Sequence, residues 1–150
     1  MQSNDRALKS RANRILNEIL MVGEHYSIYE GVYCDEENFD WLIIPKYPLP
    51  AKWKARWCQL LIVFPDLYPV SPPTGFYLDK KLELKRGGAD SHLTGTPHHG
   101  AADLTAQNWF WYCVTIETGP GAWNPSSDYR RSDNLWTFLA LVRDCLTNDA

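Results

Sequence analysis

One stretch of ten residues limits this chain more than any other: Phe64-Pro65-Asp66-Leu67-Tyr68-Pro69-Val70-Ser71-Pro72-Pro73. Its four prolines fix φ and withdraw four backbone donors, so neither a sheet ladder nor a helix can run through it. The segment is predicted to be a rigid, non-repetitive connection. Just before it stands the most apolar run of the chain, Leu60-Leu61-Ile62-Val63, inside Arg56 to Phe64. A continuous apolar run lacks the alternation of a strand with one wet face, which predicts a central strand buried on both sides. A helix must then cover one of those sides.

Helical spacing is clearest at the start. Leu8, Ala12, Ile15, Leu16, Ile19 and Leu20 recur at three and four residues, a one-sided stripe. Ser3 or Asn4 can cap this helix, Asp5 suits its positive end, and Gly23 marks its expected stop. Its outer face is expected to carry Arg6, Lys9, Arg11 and Arg14. Three extended segments follow, Ser27 to Cys34, Asn38 to Pro45 and Arg56 to Phe64, the first two joined by an acidic turn at Asp35-Glu36-Glu37-Asn38. After the prolines, Gly75 to Leu78 resumes as a short strand and Asp79 to Gly100 reads as a long polar surface loop. Trp109 to Ile116 is extended and aromatic, and Thr118 to Asp133 is a loop built on Gly119-Pro120-Gly121. A second helix closes the chain, with a stripe at Leu135, Phe138, Leu139, Val142 and Leu146 and a cap at Ser132 or Asp133. Without repeat, linker or low-complexity tract, residues 1–150 read as one domain, and the order of elements predicts an α+β fold around an antiparallel meander.

Charge narrows the function. A net charge of −3, with 22% charged residues, offers no basic field for nucleic acid. No apolar run approaches the roughly 18 residues of a membrane span, and the polar start has no signal-peptide core, so a cytoplasmic protein is expected. Four cysteines, Cys34, Cys58, Cys113 and Cys145, lie far apart with no Cys-x-x-Cys pair, which predicts free thiols.

The four thiols are not equivalent. Cys58 sits in the most apolar strand and Cys145 near the last stripe, where packing is the expected role. Cys34 adjoins acidic residues that disfavour a thiolate. Cys113 follows Asn108-Trp109-Phe110-Trp111-Tyr112 on an extended segment that enters a loop, where a thiol can be reached. A Cys-His hydrolase would pair it with His98 or His99 and an acid such as Asp103 or Asp128, and a metal site would draw on His92, His98 and His99. No spacing selects either arrangement. Acyl carriage by thiol exchange needs one accessible cysteine, no dedicated base and a thiol pKa near ambient pH.

These elements in this order resemble the ubiquitin-conjugating enzymes, and more closely their bacterial branch. Phe64 to Pro73 contains a Tyr-Pro-x-x-Pro-Pro-like signature at Tyr68 to Pro73. Trp111-Tyr112-Cys113-Val114 is similar to the active-site cysteine segment, and Trp123-Asn124-Pro125 to the Trp-x-Pro that follows it. Phe39-Asp40-Trp41-Leu42-Ile43-Ile44-Pro45 with Leu49-Pro50 resembles the bacterial members, which are encoded with a ubiquitin-like protein, an activating enzyme and a deconjugating peptidase.

The resemblance implies a fold with an N-terminal helix, a four-stranded antiparallel meander, an active-site loop and a C-terminal helix. It also implies that Cys113 accepts a ubiquitin-like modifier from an activating enzyme as a thioester and passes it to an amine on a protein target, without cofactor, metal, nucleic acid or membrane. The family's His-Pro-Asn triplet is missing before Cys113. Asn108, His98, His99 and Asp128 are the candidates for transition-state support, with Glu117 a further acid. Arg6, Lys9, Arg11 and Arg14 are where activating-enzyme docking is expected, and bacterial antiphage defence is the implied setting. The alternative is an inactive module of the same fold that binds a ubiquitin-like protein or another partner.

Overall fold

The apolar run before the prolines becomes the middle strand of a five-stranded antiparallel sheet. In the computed structural model, which describes residues 2–27, 30–87, 108–114 and 122–148, the sheet runs in chain order β1 (Tyr33–Cys34), β2 (Trp41–Pro48), β3 (Trp57–Val63), β4 (Gly75–Leu78) and β5 (Phe110–Cys113). Helices α1 (Gln2–Tyr26) and α2 (Leu135–Thr147) share one core with one face of the sheet. Leu60 and Ile62 of β3 join Leu42, Ile44, Phe76, Leu78 and Tyr112 in that core, while Leu61 packs on the other face with Tyr77 and Trp111. Both faces of β3 are therefore buried, as its unbroken apolar run predicts.

The sheet differs from the expected four strands. The aromatic segment before Cys113 is itself laddered to β4, with Gly75 opposite Cys113, Phe76 opposite Tyr112, Tyr77 opposite Trp111 and Leu78 opposite Phe110. β1 shrinks to two residues because α1 runs on to Tyr26, and Gly31 N–H closes back onto the Tyr26 carbonyl at 2.8 Å. Gly23 thus lies inside the helix rather than past its end. A Cβ there would stand 3.3 Å from Val32 Cγ2, so the glycine serves close packing. The acidic turn forms as expected, with Asp35 Oδ1 accepting from Glu37 and Asn38 N–H at 3.1 and 3.3 Å. In β2 the register shifts between Ile44 and Tyr47, where Pro45 has no N–H to give the ladder.

Two expectations of loop and cap are corrected. The start of the supposed surface loop is anchored, with Leu82 and Leu84 buried and Leu84 bridged to Trp53. The indole of Trp53 in turn donates to the Leu146 carbonyl at 2.8 Å. Helix α2 buries the expected stripe, but its cap is Asn134. That side chain accepts from Trp136 and Thr137 N–H, and Thr137 Oγ1 accepts from Asn134 N–H, a reciprocal pair that Ser132 and Asp133 stand too early to make.

Helix α1 also turns a different face inward. Ile15, Ile19, Val22 and Tyr26 are buried, whereas Leu20 is 63% exposed. The rotation brings Glu18 to complete burial. Its Oε1 accepts from the Tyr68 hydroxyl at 2.6 Å and from the Leu135 backbone N–H at 2.5 Å, and its Oε2 accepts from Arg14 Nε at 2.7 Å. Arg14 reaches on to the carbonyls of Ser126 and Asp133. One turn earlier, Arg11 pairs with Asp40 at 3.0 Å and donates to the carbonyls of Phe64 and Pro65. The chain that the prolines deprive of ladder partners is thus held by side chains of α1.

Removing one member of a buried charged pair strands the other. Glu18→Ala is accordingly expected to lose about 3–5 kcal/mol of unfolding free energy in urea denaturation. The exposed apolar residue two positions on, Leu20→Ala, should stay within about 0.5 kcal/mol. Equal losses would contradict this assignment of the buried face.

Candidate active site

Cys113 is placed by its strand partner. On β5, Tyr112 and Val114 enter the helix-side core and Trp111 the opposite face, so by alternation Cys113 shares the face of Trp111. Directly across the ladder stands Gly75. A Cβ on Gly75 would overlap the Tyr112 carbonyl oxygen and the Trp111 ring, so only glycine permits β5 to lie this close. The Trp111 ring meets Tyr77 edge-on at 5.0 Å, and Tyr112 stacks on Phe76 at 5.3 Å. Past the cysteine, Val114 N–H donates to the Thr74 carbonyl at 3.0 Å, and the thiol of Cys145 on α2 approaches the Cys113 carbonyl at 3.9 Å. Cys113 is therefore fixed from β4 and from α2, with rings packed beside it.

Cys34, Cys58 and Cys113 all shift upward, which for Cys113 runs against the near-ambient pKa expected of an acyl carrier. Burial, followed by Glu36 and Asp35, pushes the Cys34 thiol up. Burial pushes Cys58 up to about 12, with Asp79 adding to it and Lys80 opposing. Cys113 is partly exposed, and burial raises its thiol above the ordinary value.

The segment that follows the cysteine docks on the prolines. Trp123 donates its indole N–H to the Pro69 carbonyl at 2.7 Å, and its ring lies 6.2 Å from that of Tyr68. The Tyr68–Pro69 peptide is cis. Leu67 and Val70, 69% and 75% exposed, project from the same turn.

Of the candidates for transition-state support, two lie among the described residues, Asn108 and Asp128. Asn108 is exposed, has φ +67°, and precedes β5 at the end opposite Cys113. At roughly 3.3 Å per residue, β5 alone separates them by on the order of 10 Å. Asp128 is exposed and serves its own turn, accepting from Arg130 N–H at 3.2 Å and lying 3.7 Å from Arg131. His92, His98, His99, Asp103 and Glu117 lie outside the described residues. Arg11 and Arg14 are not on an outer face, since their side chains are only 10% and 11% exposed and are spent on the contacts given above. Arg6 and Lys9 lie on α1, ahead of the first described side chain.

A profile of the prokaryotic E2 family E matches residues 21–149. The chain belongs to this family. No curated protein and no solved structure matches it. Membership in family E gives the chain a bacterial, ubiquitin-conjugating-like role at family level, one that involves a ubiquitin-like modifier and an activating enzyme in general. The match covers the last turn of α1, the whole sheet, the proline segment, Cys113, Trp123 and α2. Among the described residues of this family E member, no helix is long and apolar enough to cross a membrane.

Sequence reasoning singles out Cys113, gives Cys145 only a packing role, and assigns none to Gly75 or Glu18. Only Gly75 left a signal, a glycine opening a strand of three large residues.

Two outcomes follow. Because burial raises the Cys113 thiol, its thiolate fraction at a given pH is lower than that of a free cysteine. Its alkylation rate, read residue by residue by mass spectrometry, should still be climbing where an unperturbed thiol of pKa about 8.5 has levelled off. A plateau below about pH 8 would show a thiolate-stabilising group that contradicts this picture. Gly75→Ala should cost about 1–3 kcal/mol by overpacking and speed amide exchange along β5, and unchanged exchange there would refute the glycine's role.

Proposed function

We propose that Cys113 carries a ubiquitin-like modifier as a thioester and transfers it to an amine on a protein target, in the setting of bacterial antiphage defence. The observation that carries this reading is the placement of Cys113. It is partly exposed at the end of a strand fixed on both sides, within the span matched by the family profile. The other three cysteines differ: Cys58 is buried in the core, Cys34 ends a two-residue edge strand beside two carboxylates, and Cys145 belongs to α2 rather than to a strand end.

In the first step the Cys113 thiolate attacks the carbonyl carbon of the modifier's C-terminal thioester on the activating enzyme. The carbon–sulfur bond to that enzyme's cysteine breaks, and the departing thiolate takes up the proton that Cys113 released. In the second step an uncharged amine attacks the same carbonyl on Cys113. An amide forms, Cys113 leaves as thiolate, and the proton lost by the amine returns to it. Both steps place negative charge on the carbonyl oxygen, where a hydrogen-bond donor lowers the barrier by about 3 kcal/mol. With Asn108 at the far end of β5, His98 and His99 are the donors this reading assigns, and Asp128 is left to orient the amine. Docking of the activating enzyme falls to Arg6 and Lys9, because Arg11 and Arg14 are engaged within the fold.

Incubation with the cognate activating enzyme, modifier and ATP should give an adduct that reducing agent removes, and Cys113→Ser should convert it to an ester that reducing agent leaves intact. A reducible adduct on Cys113→Ala would overturn the assignment. Reversing charge at Arg6 and Lys9 together should slow loading by about tenfold with unfolding midpoints unchanged. Arg14→Glu should instead lower the midpoint. Unaltered loading in the Arg6 and Lys9 variant would remove the start of α1 from the docking surface.

A further inference from the structure

Away from Cys113, a cleft of about 600 Å³ opens between the last turn of α1, the end of β2 and α2. Its walls are ring and proline surface: His25 and Tyr26 from α1, Tyr47 with Pro48-Leu49-Pro50 from β2 and beyond, and Trp136 from α2. Among its polar side chains are Tyr47, Trp136 and Arg143. Tyr47 is 4% exposed, lines the cleft and has no hydrogen-bond partner for its hydroxyl among the described residues. The same holds for the indole N–H of Trp136. Arg143 lines the rim and makes no ion pair among the described residues.

The arrangement of the rings limits what fits. Tyr26 and Trp136 stack on each other at 6.4 Å, His25 meets Trp136 edge-on at 5.0 Å, and Tyr47 leans on Tyr26 at 6.2 Å. The rings thus pack against one another. What remains is a grooved apolar surface with donors in it. A polyproline II segment matches such a surface, because it presents ring faces together with backbone carbonyls that have no internal partner. The lone cation at the rim asks for a carboxylate beside the prolines.

We infer that this cleft binds a proline-rich peptide segment flanked by acidic residues. Proline rings lie against Trp136, Pro48 and Pro50, peptide carbonyls accept from Tyr47 and Trp136, and a glutamate or aspartate pairs with Arg143. The site is independent of thioester chemistry, so Cys113→Ser should bind as the natural chain does. That separates failure here from failure of the transfer reading.

The test is fluorescence anisotropy with the full chain and labelled peptides of about ten residues, built on Pro-x-x-Pro and flanked by either Glu or Lys. The Glu-flanked peptide is expected to bind at least about tenfold more tightly than the Lys-flanked one, and Arg143→Glu should reverse that order. Tyr47→Phe, which keeps the packed ring, should weaken binding by about five- to tenfold. Three results would each overturn the proposal: no binding of the Glu-flanked peptide, binding of it by Arg143→Glu and Tyr47→Phe as tight as by the natural chain, or displacement of nothing but a flat aromatic anion such as anilinonaphthalene sulfonate.

Discussion

A carboxylate wholly removed from water stands where α1, the proline segment and the start of α2 meet, and each of the three gives it a donor. Glu18 receives the Tyr68 hydroxyl, the first backbone N–H of α2 and the guanidinium of Arg14. Desolvating that charge is costly, and the three short hydrogen bonds, one from a cation and one from the positive end of a helix, offset the cost. The proline segment has too few donors to anchor itself in a sheet, so its position is set by what reaches it. Arg11 holds its first carbonyls, Tyr68 ties its middle to Glu18, and Trp123 donates to Pro69. Because Trp123 follows Cys113 in the chain, the contacts of Glu18 also bear on where the segment beyond the cysteine is fastened.

Much of this fold was legible in the sequence, and the parts that were not share a cause. The unbroken apolar run of β3 gave its central place, and the spacing of Leu135, Phe138, Leu139, Val142 and Leu146 gave the buried face of α2 in full. The stripe on α1 was read partly wrong because a hydrophobic pattern cannot foresee a buried carboxylate. Admitting Glu18 turns Leu20 outward and brings Arg14 in. Asn134 was missed as the cap because the competing Ser132 and Asp133 satisfy the same rule one or two residues early. The fifth strand was visible as an extended segment, but only pairing in space shows that it closes on β4.

The candidate site divides in the same way. Cys113 stood out because it is a cysteine on an extended segment next to a loop, a property of local sequence. What surrounds it is a property of space. Asn108 is near it in number yet sits at the other end of a strand, and Asp128 is committed to its own turn. Arg11 and Arg14 looked like a solvated basic face because charge is usually outside, and their partners are carbonyls and carboxylates far away in sequence. Burial raises the thiol pKa of Cys113, and its partial exposure follows from its place at the end of β5.

Peptide mapping of the loaded chain by mass spectrometry, under conditions that preserve thioesters, tests the central claim most directly. The account predicts that the C-terminal acyl group of the modifier is found on the sulfur of Cys113, with Cys34, Cys58 and Cys145 unmodified. Finding the acyl group on one of those three, or on none while the activating enzyme is itself charged, would contradict it.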